Sequence, residues 1–217
     1  MSTIDTAEGR TTLVLSPHQD DEASRLAAYV AIAADRGDAV ELVQVTDGTA
    51  TGVGRAEGLS PGTVQRWRDR EQFSCWDWLT DGRGTITRLQ LVDGAARAED
   101  IVSALTQRLD TDNGECELYV ATWHHDRPEA HPADLHPDHI ACVLAAREIA
   151  RTTGIPVRFA RHATQQELPG TLYEAQTHEQ RLRIEGALSA YTVIGRRSVR
   201  HTFEAAEGSG GTSRITE

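Results

Sequence analysis

Short continuous apolar runs alternate along this chain with longer stretches in which apolar positions recur every three or four residues. Thr12-Leu13-Val14-Leu15-Ser16 is a β-type run that meets Pro17, and residues 23–35 follow with Leu26, Ala27, Val30 and Ala31 at helical spacing. Gly37 closes that helix, and residues 39–45 form a second buried-type strand ending at the turn signal Asp47-Gly48. The opening is therefore a βαβ unit. Residues 48–62 hold five glycines and Pro61 and predict a long surface loop. A helical pattern resumes over 66–79 through Trp67, Phe73 and Trp78. The alternation then repeats: strand over 85–92, helix over 98–109, strand over 117–122, helix over 137–151, a weaker strand over 156–160 and a late helix over 178–193. Residues 208–217 predict a mobile tail.

Strands alternating with helices predict an α/β, Rossmann-like three-layer fold: an open, mostly parallel sheet with helices on both faces, because parallel neighbours need long crossovers. A chain of 217 residues suits one domain over 1–217. In such sheets the ligand site lies outside the carboxyl ends of the strands, at the switch point in strand order. The residues following each strand are where chemistry is expected.

Composition narrows the partners. A formal net charge of −11 repels a phosphate backbone, so nucleic acid is excluded as an expected partner. Every cationic side chain is Arg and none is Lys, which removes lysine nucleophiles, Schiff bases and phosphate-loop lysines. Three cysteines without CxxC spacing indicate neither a disulfide framework nor a structural zinc cluster. No run approaches the ~20 apolar residues of a membrane span, and the amino terminus has no signal-peptide pattern, so the expected location is the cytoplasm.

Two segments carry candidate chemistry. After the first strand, Ser16-Pro17-His18-Gln19-Asp20-Asp21-Glu22 packs an imidazole and three carboxylates into a turn that opens a helix. Capping and the helix dipole account for one or two of the acids but not for the histidine. A divalent cation accounts for both, since imidazole and carboxylate are zinc ligands and the ion relieves the repulsion of the acids. The second segment, Leu135-His136-Pro137-Asp138-His139, follows a later strand, with Pro137 suited to the first helical position and His136 and His139 directed to one side of the first turn. Three protein ligands with a fourth position for water is the pattern of a catalytic rather than a structural zinc.

His18-x-Asp20-Asp21-Glu22 and His136-Pro137-Asp138-His139 resemble the paired motifs of the PIG-L (LmbE-like) N-deacetylases, over residues 13–150. Thr46-Asp47-Gly48 and Arg68-x-x-Glu71 resemble softer features of that family. The resemblance implies zinc, or another divalent transition metal, on His18, Asp21 and His139. It also implies Asp20 as general base and His136 as oxyanion stabiliser and proton donor to the leaving amine. Asp138 is expected to pair with His136 and raise its pKa, while Asp47, Arg68 and Glu71 are expected to reach the substrate or brace the site. The implied substrate is a small-molecule N-acylated amino sugar, and homo-oligomerisation is left open. The family commonly has proline after the first histidine; here Gln19 occupies that position and Pro17 precedes His18. The run 124–135, with His124, His125 and His131, is longer and richer in histidine than expected and suggests a distinct lid.

Alternatives are a metal-dependent amidase acting on a thiol conjugate and a non-catalytic metal- or nucleotide-binding Rossmann-like module. Against nucleotide binding, the first strand is followed by neither GxGxxG nor GK[ST].

Overall fold

The computed structural model describes residues 10–109, 115–121, 136–161 and 170–216. The expected βαβ opening is present as β1 (Thr11–Ser16), α1 (Asp21–Arg36) and β2 (Ala39–Thr46). The α1 helix is alanine-rich, so it packs closely on the sheet, and it ends at Gly37, whose φ of 90° supplies the left-handed cap. Inside the stretch expected to be a loop lies a short helix, α2 (Gly52–Ala56), which Thr51 caps by accepting the Val53 N–H. The α3 helix (Pro61–Thr80) begins earlier than its apolar pattern, because Ser60 caps it and Pro61 takes the first helical position.

The remaining elements are β3 (Thr85–Leu91), α4 (Ala98–Leu109), β4 (Cys116–Val120), α5 (Pro137–Thr153), β5 (Val157–Ala160), β6 (Thr171–Tyr173), α6 (His178–Ala190), α7 (Gly195–Ser198), α8 (Arg200–Gly208) and β7 (Ser213–Thr216). The strands form one sheet in the order β3-β2-β1-β4-β5-β7-β6. From β3 to β5 every pairing is parallel, and β7 runs antiparallel to both β5 and β6. The fold is thus a mixed, mostly parallel α/β sheet with helices on both sides.

The two-residue strand period divides the core. Val14, Leu42, Tyr119 and Ile215 pack with residues of α1, α3, α6 and α8, such as Trp76, Ile184 and Phe203. Leu13, Leu15, Val43 and Val120 face the other way, onto α4 and α5 through Ile101, Leu105, Val143 and Ile149.

The expected mobile tail is a correction. Ser213–Thr216 is an interior strand, with Ile215 only 3% exposed and the Ser213 hydroxyl accepting from the Tyr29 N–H. Four residues are too few for periodicity to register, and the partners of this strand are remote in sequence. Among the described residues no helix is long and apolar enough to cross a membrane. The histidine-rich run 124–135 lies outside the described residues.

Candidate active site

The sheet order reverses between β1 and β4, and Ala121 donates its N–H to the Leu15 carbonyl at 2.8 Å just where both strands end. The turn after β1 and the start of α5 meet at this switch point. The Pro17 carbonyl accepts from the Thr46 hydroxyl (2.9 Å) and the Gln44 amide (3.1 Å) of β2, and the Ser16 hydroxyl donates to the His18 carbonyl at 2.7 Å. The turn is thereby immobilised before any functional group is reached. Asp20 sits at φ 124°, a conformation rare for a residue with a side chain, and Glu22 accepts its N–H at 3.2 Å. Tyr191, fully buried, in turn hydrogen-bonds the other Glu22 oxygen.

His18, Asp21 and His139 come together. The Nδ1 of His18 is 3.2 Å from the Nε2 of His139 and 3.4 Å from the Oδ2 of Asp21, and the last two atoms are 3.3 Å apart. Donors held at 2.0–2.1 Å by a tetrahedral ion are separated from one another by about 3.3 Å. These residues therefore fit a zinc-class ion by spacing as well as by donor type. The other Asp21 oxygen is held by Arg25 Nε at 3.3 Å. Burial pushes the Asp21 carboxyl up, but His139, His18 and Arg25 hold it well below the usual carboxylate range. Burial works against a charge on His18, yet hydrogen bonds to Asp138, Asp21 and Asp93 raise its pKa well above the ordinary value. The carboxylates favour a positive charge at this point, and without a metal a proton on His18 is what supplies it.

The far nitrogen of His18, Nε2, faces Asp138 Oδ2 at 3.0 Å and Asp93 Oδ1 at 3.3 Å. Asp138 is fully buried and also accepts the N–H groups of Gly94 (2.8 Å) and Ala96 (3.0 Å). Asp138 Oδ2 also stands 3.7 Å from His136 Nδ1 and pulls the His136 pKa up, as expected, though its shorter contact is to His18. His136 also caps α5, its Nδ1 accepting from the Asp138 N–H at 3.4 Å. Burial and the neighbouring His18 lower the His136 pKa, so this imidazole is neutral rather than cationic, with its Nε2–H available as a donor. Asp93 was missed by motif reasoning, although it follows β3 directly, at one of the strand ends where ligands bind.

Asp20 is buried with one oxygen 2.7 Å from Arg68 Nη2. Burial pushes its pKa up to about 7 against the opposing pull of Arg68, within the range of a general base working near neutrality. Arg68 also donates to the carbonyls of Gln19 (2.5 Å) and Gly48 (3.2 Å), tying α3 to both loops. Gly48 has φ +67°, and a Cβ there would lie 2.0 Å from Gln19 Oε1, so the buried Gln19 and Gly48 are a matched pair.

Asp47 and Glu71 do not line the pocket. One Asp47 oxygen accepts from the Thr49 N–H (3.1 Å), the Thr49 hydroxyl (3.0 Å) and the Asp93 N–H (3.2 Å), which places Asp93. Buried Glu71 accepts the N–H groups of Thr192 (2.9 Å), Val193, Ile194 (3.1 Å) and Gly195 (2.9 Å). Its carboxylate anchors the segment after α6, and Arg68 and Glu71 form no surface ion pair with each other.

A cavity of about 240 Å³ opens over these groups. Asp20, Arg68, Asp93 and His136 line one part, and Thr51, Ser198 and Thr202 bring hydroxyls from α2, α7 and α8 to another. The Thr51 and Ser198 hydroxyls are 2.6 Å apart.

The family model described as PIG-L: GlcNAc-PI de-N-acetylase matches residues 13–150. No curated protein sequence matches significantly. Among solved structures, the zinc-inhibited form of teicoplanin deacetylase Orf2 is similar with TM-score 0.64 and 18% identity, covering 95% of this chain and 98% of that one. N,N'-diacetylchitobiose deacetylase from Pyrococcus horikoshii, complexed with its inhibitor MPG, gives TM-score 0.67 at 17% identity over 95% of this chain and 82% of that one. GalB, the 4-carboxy-2-hydroxymuconate hydratase from Pseudomonas putida KT2440, gives TM-score 0.67 at 19% identity over 92% and 83%. At these identities the likeness establishes the fold, and a hydratase among the neighbours means that the fold alone names no reaction.

Proposed function

The chain belongs to the PIG-L family of GlcNAc-PI de-N-acetylases, and from that premise we propose that it is a zinc-dependent hydrolase removing an N-acyl group from an amino-sugar conjugate. The observation that carries this reading is the triangle of His18 Nδ1, Asp21 Oδ2 and His139 Nε2, with sides of 3.2 to 3.4 Å. Bound there, a zinc-class ion supplies Lewis acidity, acidifying water and polarising an amide carbonyl. Four carboxylates, Asp20, Asp21, Asp93 and Asp138, face the guanidiniums of Arg25 and Arg68, so a divalent charge brings the ionised site to neutrality.

The protein's own groups divide the remaining work. Asp20, outside the cluster of ligand atoms and held by Arg68, takes a proton from the attacking water. His136 Nε2–H donates to the oxygen that gains charge as the carbonyl becomes tetrahedral. Asp20 then returns the proton to the leaving nitrogen as the C–N bond breaks, which spares His136 from acting as a cation. The teicoplanin and diacetylchitobiose deacetylases support an acylated amino sugar as the substrate class.

The test is amine release by zinc-loaded protein from N-acetylglucosaminides, N-acetylated antibiotic precursors and thiol-bearing amide conjugates. Release from the sugars, abolished by chelation, is expected. Release confined to a thiol conjugate would move the assignment to an amidase of that class. No release from any of them would remove the catalytic reading.

A further inference from the structure

Thr51 and Ser198 line the same cavity as the metal triangle, one from the cap of α2 and the other as the last residue of α7. Ser198 lies beyond residues 13–150, the span shared with the family. The two hydroxyl oxygens are 2.6 Å apart, and each hydroxyl has one proton and two lone pairs. Ser198 donates its proton to the Ile194 carbonyl at 2.8 Å, so the proton between the two oxygens is that of Thr51. Thr51 also accepts the Val53 N–H at 3.3 Å. Both hydroxyl protons are therefore engaged within the protein, and each oxygen keeps one lone pair. The pair is an acceptor, and what it fits is a donor. We propose that Thr51 and Ser198 form a subsite for a hydroxyl group on the aglycone, which selects neutral, hydroxyl-bearing amino-sugar conjugates over apolar and phosphate-bearing ones. The choice of an amino sugar rests on the function proposed above; the acceptor character of the subsite does not.

The surrounding charges favour the same occupant. A phosphate group is held by cations or by free N–H donors. The two guanidiniums of the cavity already face carboxylates, Arg25 Nε at 3.3 Å from Asp21 and Arg68 Nη2 at 2.7 Å from Asp20. The arginines of α7 turn to other acids, Arg196 to Glu207 at 2.6 Å and Arg197 to Glu57 at 2.5 Å. An anion beside two hydroxyl lone pairs, with Asp20 and Asp93 lining the same cavity, meets repulsion there.

Both hydroxyls are placed by contacts on either side of them. Glu71 holds the amides of 192–195 that lead into α7, so the helix that carries Arg68 also sets the position of Ser198. Just before Thr51, the Ala50 N–H donates to Asp93 at 2.8 Å. A subsite fixed in this way loses little rotamer freedom when a partner binds.

The test compares three N-acetylglucosaminides, with a glucose, a cyclohexyl and a methyl phosphate aglycone, on zinc-loaded parent protein, Ser198→Ala and Thr51→Ser. Parent kcat/KM should be at least about tenfold higher for the glucose conjugate than for the other two. Ser198→Ala should narrow that preference at least about fivefold, through KM. Thr51→Ser, which keeps the cap and the acceptor, should retain the preference. Calorimetry with the free-amine form of the glucose conjugate needs no turnover and should show the same loss of about fivefold in affinity for Ser198→Ala. Equal kcat/KM for the three conjugates in parent protein would overturn the subsite. So would a loss in Ser198→Ala shared equally by all three, since that marks a structural role. Affinity lost as expected, with no amine release from any conjugate, would keep the subsite and remove the hydrolase. Amine release without preference would do the reverse, and neither release nor a drop in affinity would remove both.

Discussion

Replacing Asp20 by asparagine should remove activity and stabilise the metal-free protein at the same time. Asparagine keeps the shape, tolerates the positive φ of 124° better than most residues, and can still accept from Arg68 through its carbonyl oxygen. It cannot take the proton of water, and general-base catalysis contributes about 10²–10⁴ in rate, or roughly 3–5 kcal/mol of barrier. The stability effect has the opposite sign. Burial raises the Asp20 carboxyl from its ordinary 3.8 to about 7, a penalty on the order of 4 kcal/mol on the ionised form. Between those values the native state binds more protons than the unfolded chain, so the parent loses stability as pH rises from about 4 to 7. A neutral isostere escapes that loss. Even a quarter of it is worth about 2–4 °C in Tm for a domain of this size. The assay is zinc content and turnover of both proteins, then thermal unfolding of chelator-stripped samples at pH 5 and pH 8. The expected result is parent-like zinc, turnover down at least ~100-fold, and a Tm gain larger at pH 8 than at pH 5. Parent-like turnover with zinc bound would refute Asp20 as base, and an equal Tm gain at both pH values would refute its buried ionisation.

His139→Ala should lose most of its zinc by elemental analysis, whereas His136→Ala should retain one equivalent and lose at least ~100-fold in turnover. Glu71→Gln places an amide donor against the N–H groups of 192–195; the cost of about 2 kcal/mol should lower Tm by about 4–8 °C, with zinc content unchanged. Gly48→Ala should destabilise by about 1–3 kcal/mol in denaturant titration. Adding Gln19→Ala should recover the part due to the clash and leave about 1 kcal/mol for the positive φ of Gly48. Deleting residues 213–217 removes an interior strand with buried Ile215, so the protein should lose at least about 3 kcal/mol of stability rather than tolerate the loss of a tail.

Apart from the short α2, the order of strands and helices through α5 was legible along the chain because each element carries its own period. Apolar runs mark β1, β2 and β4, and helical stripes mark α1, α4 and α5, which pack against the sheet. The placement of His18, Asp21, His136 and His139 at strand-to-helix junctions was legible for the same reason, since parallel sheets bring such junctions to one edge. What tertiary structure alone decided lies where partners are remote and the local signal is short. Ser213–Thr216 is a strand only because β5 and β6 offer it edges. Asp138 lies closer to His18 than to His136, 3.0 Å against 3.7 Å, because α5 docks against the turn after β1. Glu71 lies near Arg68 in sequence, yet the packing of α3 beside the end of α6 directs its carboxylate to the amides of 192–195. Residue type and spacing determine which groups can bind a metal; the direction in which each side chain points, and hence its charge state, depends on contacts across the sheet that no local pattern encodes.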